Sequence, residues 1–406
     1  MISILRQQVC EIPAFLKVMT CDVKPSSFCT HRRGYCSGTA ICFCARKGKA
    51  LILALLISSS LTEAAHSQDG NSYKINDHIE LKFSMYAELG LEYIASRGNE
   101  YSSKYQFSAY GEKRASLTFW KNWTLQSVVK AEEFDTRDDN DDEEGYGVAW
   151  DSLYLEYRNA RFRAYAGKFQ ARFGLASDAD LGKYGSDFND YDIDEQVGFG
   201  GSVRFGGASY GQHIFSASVF TADTSVLSDS LFFSRGRLDR SGGGPGNTGD
   251  LSSFAIAVDG RQLPWFSPNF TYHVGYAHLA PGEGDQDGSD AFVLGARQTG
   301  IKVGSDVEVA LIGEVAYVSN VEGDGDDITY YTLGAAANYG RYNFTLVYAP
   351  RRVEANDPQD DRTEQLFAAS AGYYFTDNLG VNVSYCYREE EDETDNTVSV
   401  NVAVNY

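Results

Sequence analysis

Thr397-Val398-Ser399-Val400-Asn401-Val402-Ala403-Val404-Asn405-Tyr406 is the stretch whose reading decides the fold. Val398, Val400, Val402, Val404 and Tyr406 share one parity, and Ser399, Asn401, Ala403 and Asn405 share the other. Side chains of an extended strand point alternately to its two faces, so this strand has one apolar face and one small or polar face. Such a strand separates an apolar medium from water. The pattern also persists to an aromatic last residue, which implies that the end is held in a sheet.

The same alternation recurs throughout the chain. Residues 78–93 place Ile79, Leu81, Phe83, Met85, Ala87, Leu89, Leu91 and Tyr93 on one face, against His78, Glu80, Lys82, Ser84, Tyr86, Glu88, Gly90 and Glu92 on the other. That length exceeds an ordinary soluble strand and suits a tilted membrane-spanning one. Further strands are expected at 104–120, 124–134, 148–157, 161–169, 197–205, 212–221, 251–259, 270–278, 291–299, 307–318, 329–339, 343–349, 365–375 and 381–387, making sixteen with the first and last. Tight turns such as Lys121-Asn122-Trp123 and Thr376-Asp377-Asn378 alternate with long acidic or glycine-rich connections. An even strand count, with short turns at one end and long loops at the other, predicts an all-β transmembrane antiparallel barrel. Tyr93, Tyr105, Trp120, Trp123, Tyr157, Tyr339, Tyr373 and Phe375 lie near strand ends, where interfacial girdles sit. A soluble sandwich would need a second apolar face, and the inward positions read as polar instead.

Composition narrows the function. The chain has 406 residues and a formal charge of −21, an acidity unsuited to a nucleic-acid partner. Six of its seven cysteines precede residue 45 at spacings that do not fit a zinc site. Arg46, Lys47 and Lys49, then apolar 50–57, then Ala65-His66-Ser67 read as a secretory signal over 45–67. Residues 1–44 are expected to be an N-terminal extension from a start codon placed too early, and 68–406 the barrel. Eight of the 35 bases and three of the 56 acids precede residue 68, leaving 27 against 53 in that barrel. Cys386 alone remains there, so no internal disulfide is expected and stability rests on the sheet.

The most informative connection is 170–196. The run Ala166-Gly167-Lys168-Phe169-Gln170-Ala171-Arg172-Phe173-Gly174, with Tyr184-Gly185-Ser186-Asp187-Phe188 and Glu195-Gln196-Val197-Gly198-Phe199-Gly200, resembles the fifth strand and constriction loop of proteobacterial outer-membrane porins. Its glycine-aromatic-basic part is shared more loosely by phosphate-selective porins. The resemblance implies a loop folded into the lumen, a homotrimer, and passive diffusion of small hydrophilic solutes. It also implies acids on the loop facing bases on the wall, which generates a transverse field. The loop offers Asp178, Asp180, Asp187, Asp190, Asp192, Asp194 and Glu195. The wall or loop root offers Arg161, Arg163, Lys168 and Arg172, although Lys168 has outward parity unless Gly167 marks a bulge. With 27 bases against 53 acids no ladder of bases stands out, so weak cation preference is expected over an anion- or phosphate-selective pore.

Other chemistry is thinly represented. Acidic runs at 138–144 and 324–327 do not match a calcium-loop spacing. No HExxH motif occurs, and His273, inward on its strand, is the best-placed base for an outer-membrane barrel enzyme. The reading is therefore non-enzymatic with no cofactor, the alternative being a barrel that anchors an enzyme or adhesin. Expected partners are outer-membrane lipid and lipopolysaccharide, and the barrel-assembly machinery, for which Tyr406 resembles the terminal aromatic signal.

Overall fold

Alternating side chains leave the backbone groups of each strand pointing sideways, and in this protein those groups are paired around a ring. A computed structural model describes residues 72–96, 103–137, 144–264, 266–391 and 393–406. The signal sequence, the early cysteines and most of the acidic run at 138–144 lie outside the described residues. A short strand, β1 (Ser72–Asn76), precedes sixteen longer ones: β2 (Ile79–Ser96), β3 (Ser103–Phe119), β4 (Trp123–Asp135), β5 (Glu144–Arg158), β6 (Phe162–Phe169), β7 (Gln196–Gly207), β8 (Gly211–Ala222) and β9 (Ser253–Leu263), then β10 (Ser267–Leu279), β11 (Ser289–Val303), β12 (Val307–Val321), β13 (Asp326–Tyr339), β14 (Tyr342–Glu354), β15 (Arg362–Tyr374), β16 (Leu379–Glu390) and β17 (Glu393–Asn405).

Each of β2 to β17 pairs antiparallel with its neighbours in sequence, and β17 pairs with β2 from Asp395↔Ser96 to Asn405↔Tyr86. Tyr406 and Met85 exchange backbone hydrogen bonds of 2.8 Å, carrying the closure to the last residue. Closure removes the free edge that hydrocarbon cannot solvate. The fold is thus a closed sixteen-stranded antiparallel barrel, as the alternation predicted. β1 is an addition. It pairs with β2 from Ser72↔Lys82 to Asn76↔Ile79, while β3 holds the other edge of β2, so β1 continues the line of β17 beyond Tyr406.

Strand lengths differ from expectation at the long-loop end. β14 runs through Pro350 to Glu354, five residues past the expected stop at Ala349. Pro350 lacks a donor, and the rungs to β13 lapse between Tyr348 and Arg351, yet the register is the same on both sides. β16 likewise continues to Glu390, so the expected loop at 388–396 is mostly strand. Charged lumen-facing residues, which read as loop, lie on strands that rise beyond the apolar band.

The outer face carries that band. Leu91, Phe199, Phe292, Leu294, Leu333, Leu346, Val383 and Val400 are exposed on it. A girdle rings the tight-turn end, where Tyr339, Tyr342, Tyr373 and Phe375 form a run of contacts with centroids 5.0 to 6.5 Å apart. An apolar surface this continuous belongs in lipid.

The inward face divides into two halves. On β9 to β16 it is built of small apolar residues, among them Ala255, Ala277, Ala291, Ala316, Val347, Ala349 and Ala368, all buried. The expectation of polar inward positions everywhere is corrected there: these residues do not meet water because the chain's own loop covers them.

Candidate functional site: the loop across the lumen

β6 is the shortest of the sixteen, and the chain leaves the wall at its end. Gly167 has φ 136°, and a Cβ there would stand 2.4 Å from the Leu153 carbonyl oxygen, so a side chain is excluded on both counts. After Phe169 the backbone crosses the lumen and doubles back, its two limbs tied by the Ala171 N–H donating to the Ile193 carbonyl at 2.9 Å. β7 resumes the wall at Gln196.

The loop is amphipathic. Phe173, Tyr191 and Ile193 pack with Ala255, Ala277, Ala291 and Ala316. Leu181, Tyr184 and Phe188 pack with Ile312, Val347, Ala349 and Leu366. Inward glycines make room: a Cβ on Gly334 would stand 2.7 Å from Leu181, and one on Gly275 3.2 Å from Phe173.

Polar anchors then fix it. Glu314 on β12 accepts from the Leu175 N–H at 2.7 Å, the Ala176 N–H at 3.0 Å and the Tyr191 hydroxyl at 2.7 Å. His273 is fully buried, its Nε2 accepting from the Gly174 N–H at 3.0 Å and its Nδ1 bonded to Asp259 at 2.9 Å. Both ring nitrogens are thus engaged in holding the loop, which leaves no free base there. Lys183 bridges to the far wall, 2.9 Å from Glu92 and 3.5 Å from Glu88, and donates to Asn401 at 3.2 Å.

The predicted acids separate into three groups. Asp187 pairs with Arg388, and Asp190 with Arg351, whose guanidinium also lies 4.3 Å over the Phe188 ring. Asp178 pairs with Arg172, which grips Asp259 at 2.8 Å and 3.4 Å. Asp180 and Asp194 are exposed and have no ion-pair partner among the described residues, while Asp192 is half-buried. Burial and the neighbouring Asp194 push the Asp192 carboxyl up to about 7. Glu195, at the loop's exit, is held by Arg235 and Arg137 of other loops.

The predicted bases fare less well. Arg172 is at the site, but Arg161 is not: it lies exposed in the tight turn before β6, one residue outside the strand. Arg163 faces inward but is spent on the wall, 2.6 Å from Glu156 and 4.6 Å over the Tyr165 ring. Lys168 is not in the gap either. Its pairing with Leu153 continues the register without a bulge at Gly167, and its fully buried ammonium sits 3.1 Å from Asp223 and 3.5 Å from Glu195, donating to the Leu227 carbonyl at 2.8 Å. The bases that do meet loop acids, Arg351 and Arg388, escaped the sequence reading because both fall just past the expected strand ends. Inward parity, extended through Pro350, was the signal that would have found them.

Because the loop is packed on β9 to β16, the open lumen lies between its exposed face and the wall of β2 to β8. There Arg114 pairs with Glu112, Lys130 with Asp151, and Arg158 and Arg163 with Glu156. A passage lined by charged side chains and narrowed by an anchored loop can discriminate solutes by size, charge and dipole.

Fold and loop together define a transmembrane β-barrel whose fold is that of solved outer-membrane porins. The anion-selective porin of Comamonas acidovorans superposes with TM-score 0.54 at 11% identity, over 81% of this chain and all of that one. The Salmonella typhi OmpF in complex with daunomycin gives 0.54 at 12% identity, over 82% of this chain and all of that one. No family model and no curated protein matches the sequence.

Proposed function

We propose that this protein is a porin of the bacterial outer membrane, a passive channel for small hydrophilic solutes and ions, exported by the signal at 45–67 and working without a cofactor or catalysis. The anchored loop carries this reading: residues 170–195 cross the barrel on eight-strand support and leave Asp180 and Asp194 facing a hydrophilic wall. A barrel serving only as an anchor has no use for a fixed, half-open partition. Arg172, Asp178, Asp187 and Asp190 hold the partition, and Asp180, Asp192 and Asp194 supply its field.

Weak cation preference follows from those unpaired acids. It is weak because Arg204, Arg261 and Arg297, inward by parity near the tight-turn mouth, have no carboxylate ion-pair partner among the described residues. Anion selectivity in the Comamonas protein does not transfer at 11% identity. Assembly as a homotrimer among lipopolysaccharide, through machinery that reads Tyr406, completes the proposal on the strength of the sequence resemblance. Liposome swelling with sugars and reversal potentials in a KCl gradient test it. Sugar permeation with a modest cation bias is the expected result; no permeation rejects the channel, and a chloride bias rejects the selectivity.

A further inference from the structure

One spacing of tyrosine, glutamate and arginine occurs twice on the open wall. Tyr110-Gly111-Glu112-Lys113-Arg114 on β3 and Tyr154-Leu155-Glu156-Tyr157-Arg158 on β5 carry the three residues at alternate positions, so all three share the lumen face. Each set meets a second tyrosine on a neighbouring strand: Glu112 is in register with Tyr86 of β2, and Glu156 with Tyr165 of β6. The ring centroids are 5.9 Å apart in both, at 55° between Tyr86 and Tyr110 and 57° between Tyr154 and Tyr165. Because β2 and β6 flank their partners on opposite sides, the two sets are mirror arrangements of the same parts.

They differ at one rung. Opposite Arg158 stands Arg163, and opposite Arg114 stands Ser84. The Arg163 guanidinium lies 4.6 Å over the Tyr165 ring and 5.8 Å over Tyr154, donating to Glu156 at 2.6 Å and to the Tyr154 hydroxyl at 3.2 Å. Glu156 thereby serves two arginines, since Arg158 also donates to it at 2.8 and 3.1 Å. Glu112 has Arg114 as its one ion-pair partner among the described residues, and no cation of those residues lies over Tyr86 or Tyr110. Tyr165 is buried beneath its guanidinium, whereas Tyr86 is half-buried and Ser84 exposed. Where the β6 set has Gly167, the β2 set has Glu88, 3.5 Å from Lys183 of the lumen loop. The paired groups there, Glu88, Glu92 and Glu112 against Arg114 and Lys183, leave one negative charge.

We propose that Tyr86, Tyr110 and Glu112 form a binding site for the guanidinium group of a permeating solute, which supplies on this part of the wall what Arg163 supplies on the other. A guanidinium is planar, so the mirror relation does not affect its fit. It stacks on a tyrosine face while donating to a carboxylate, and its charge cancels the one left over. An ammonium is a point charge that gains the carboxylates without the rings. The site therefore prefers guanidinium to ammonium solutes, which the field of the passage alone treats alike. This names a substrate class for the channel proposed above and rests on that reading.

Methylguanidinium and methylammonium chlorides are the probes. Saturation-transfer NMR on the protein in nanodiscs reads binding, and reduction of KCl current in planar bilayers reads the same site during permeation. Methylguanidinium is expected to act at about 10-fold lower concentration than methylammonium in both measurements. Ser84→Arg supplies the chain's own guanidinium, and Tyr86→Leu removes a ring but no charge; each is expected to bring that ratio to about 1. Equal action of the two probes on the unaltered protein overturns the proposal, and so does a ratio that either variant leaves unchanged. The two readings fail separately: preferential binding to a protein that passes no current keeps the site and rejects the channel, whereas current without preference rejects the site and keeps the channel.

Discussion

Glu314 has two loop amides and a tyrosine hydroxyl on one carboxylate, and charge-assisted bonds of this kind contribute about 1.5–3 kcal/mol each when a partner is removed. Glu314→Ala is expected to free the 175–191 part of the loop, raising single-channel conductance and exposing the loop to protease; unchanged conductance would count against the loop as the constriction. Asp192 supplies a pH dependence. Its carboxyl, at about 7 rather than 3.8, binds a proton between those values only while the loop is docked. The contribution of this group to docking is therefore full below 3.8 and falls away as pH rises to about 7. Current fluctuations of the open channel should increase from about pH 4 to about pH 7, level off above it, and lose this dependence in Asp192→Asn.

At the scale of elements, the turn from β6 into the lumen depends on Gly167. Gly167→Ala puts a Cβ 2.4 Å from the Leu153 oxygen at φ 136°, a strain of about 1–3 kcal/mol. We expect a lower unfolding temperature of the barrel, read by gel mobility after heating, with the loop's anchors intact. β6 stops early in consequence, and Leu231 of the 223–252 connection takes its place beside β5, exchanging backbone hydrogen bonds of 3.1 and 2.8 Å with Val148. The lock of Lys168, Arg235 and Arg137 on Glu195 and Asp223 fastens that replacement to the loop's exit. Strand existence was legible because period two needs only local residues. The ends of β14 and β16 were not, because Arg351 and Arg388 read as loop until a charged partner inside the barrel accounts for them.

For the whole molecule, the last residue matters through closure. Deleting Tyr406 removes its two bonds to Met85 and its ring from Phe83, 6.1 Å away, at the junction of β17 with β1 and β2. The expected outcome is less protein in the outer membrane with unchanged conductance per inserted channel; normal insertion of the truncation contradicts the role of this end. Lys183 provides the complementary case, since it ties the loop to Glu92 and Glu88 across the lumen. Lys183→Ala should shift reversal potentials toward cations, because both wall acids are released into the passage.

By itself the sequence determined the strands, their closure and the side that meets lipid, since alternation is a property of neighbours along the chain. The loop's acids were equally legible as residue types. Only the tertiary structure decided their use: which were neutralised by Arg351, Arg388 and Arg172, which stayed open as Asp180 and Asp194, and that Lys168 was enclosed beneath another loop. The neutralisation by Arg351 and Arg388 depends on residues more than 150 positions apart meeting inside one lumen, as Arg351 meets Asp190 and Arg388 meets Asp187, and local pattern contains no record of such a distance.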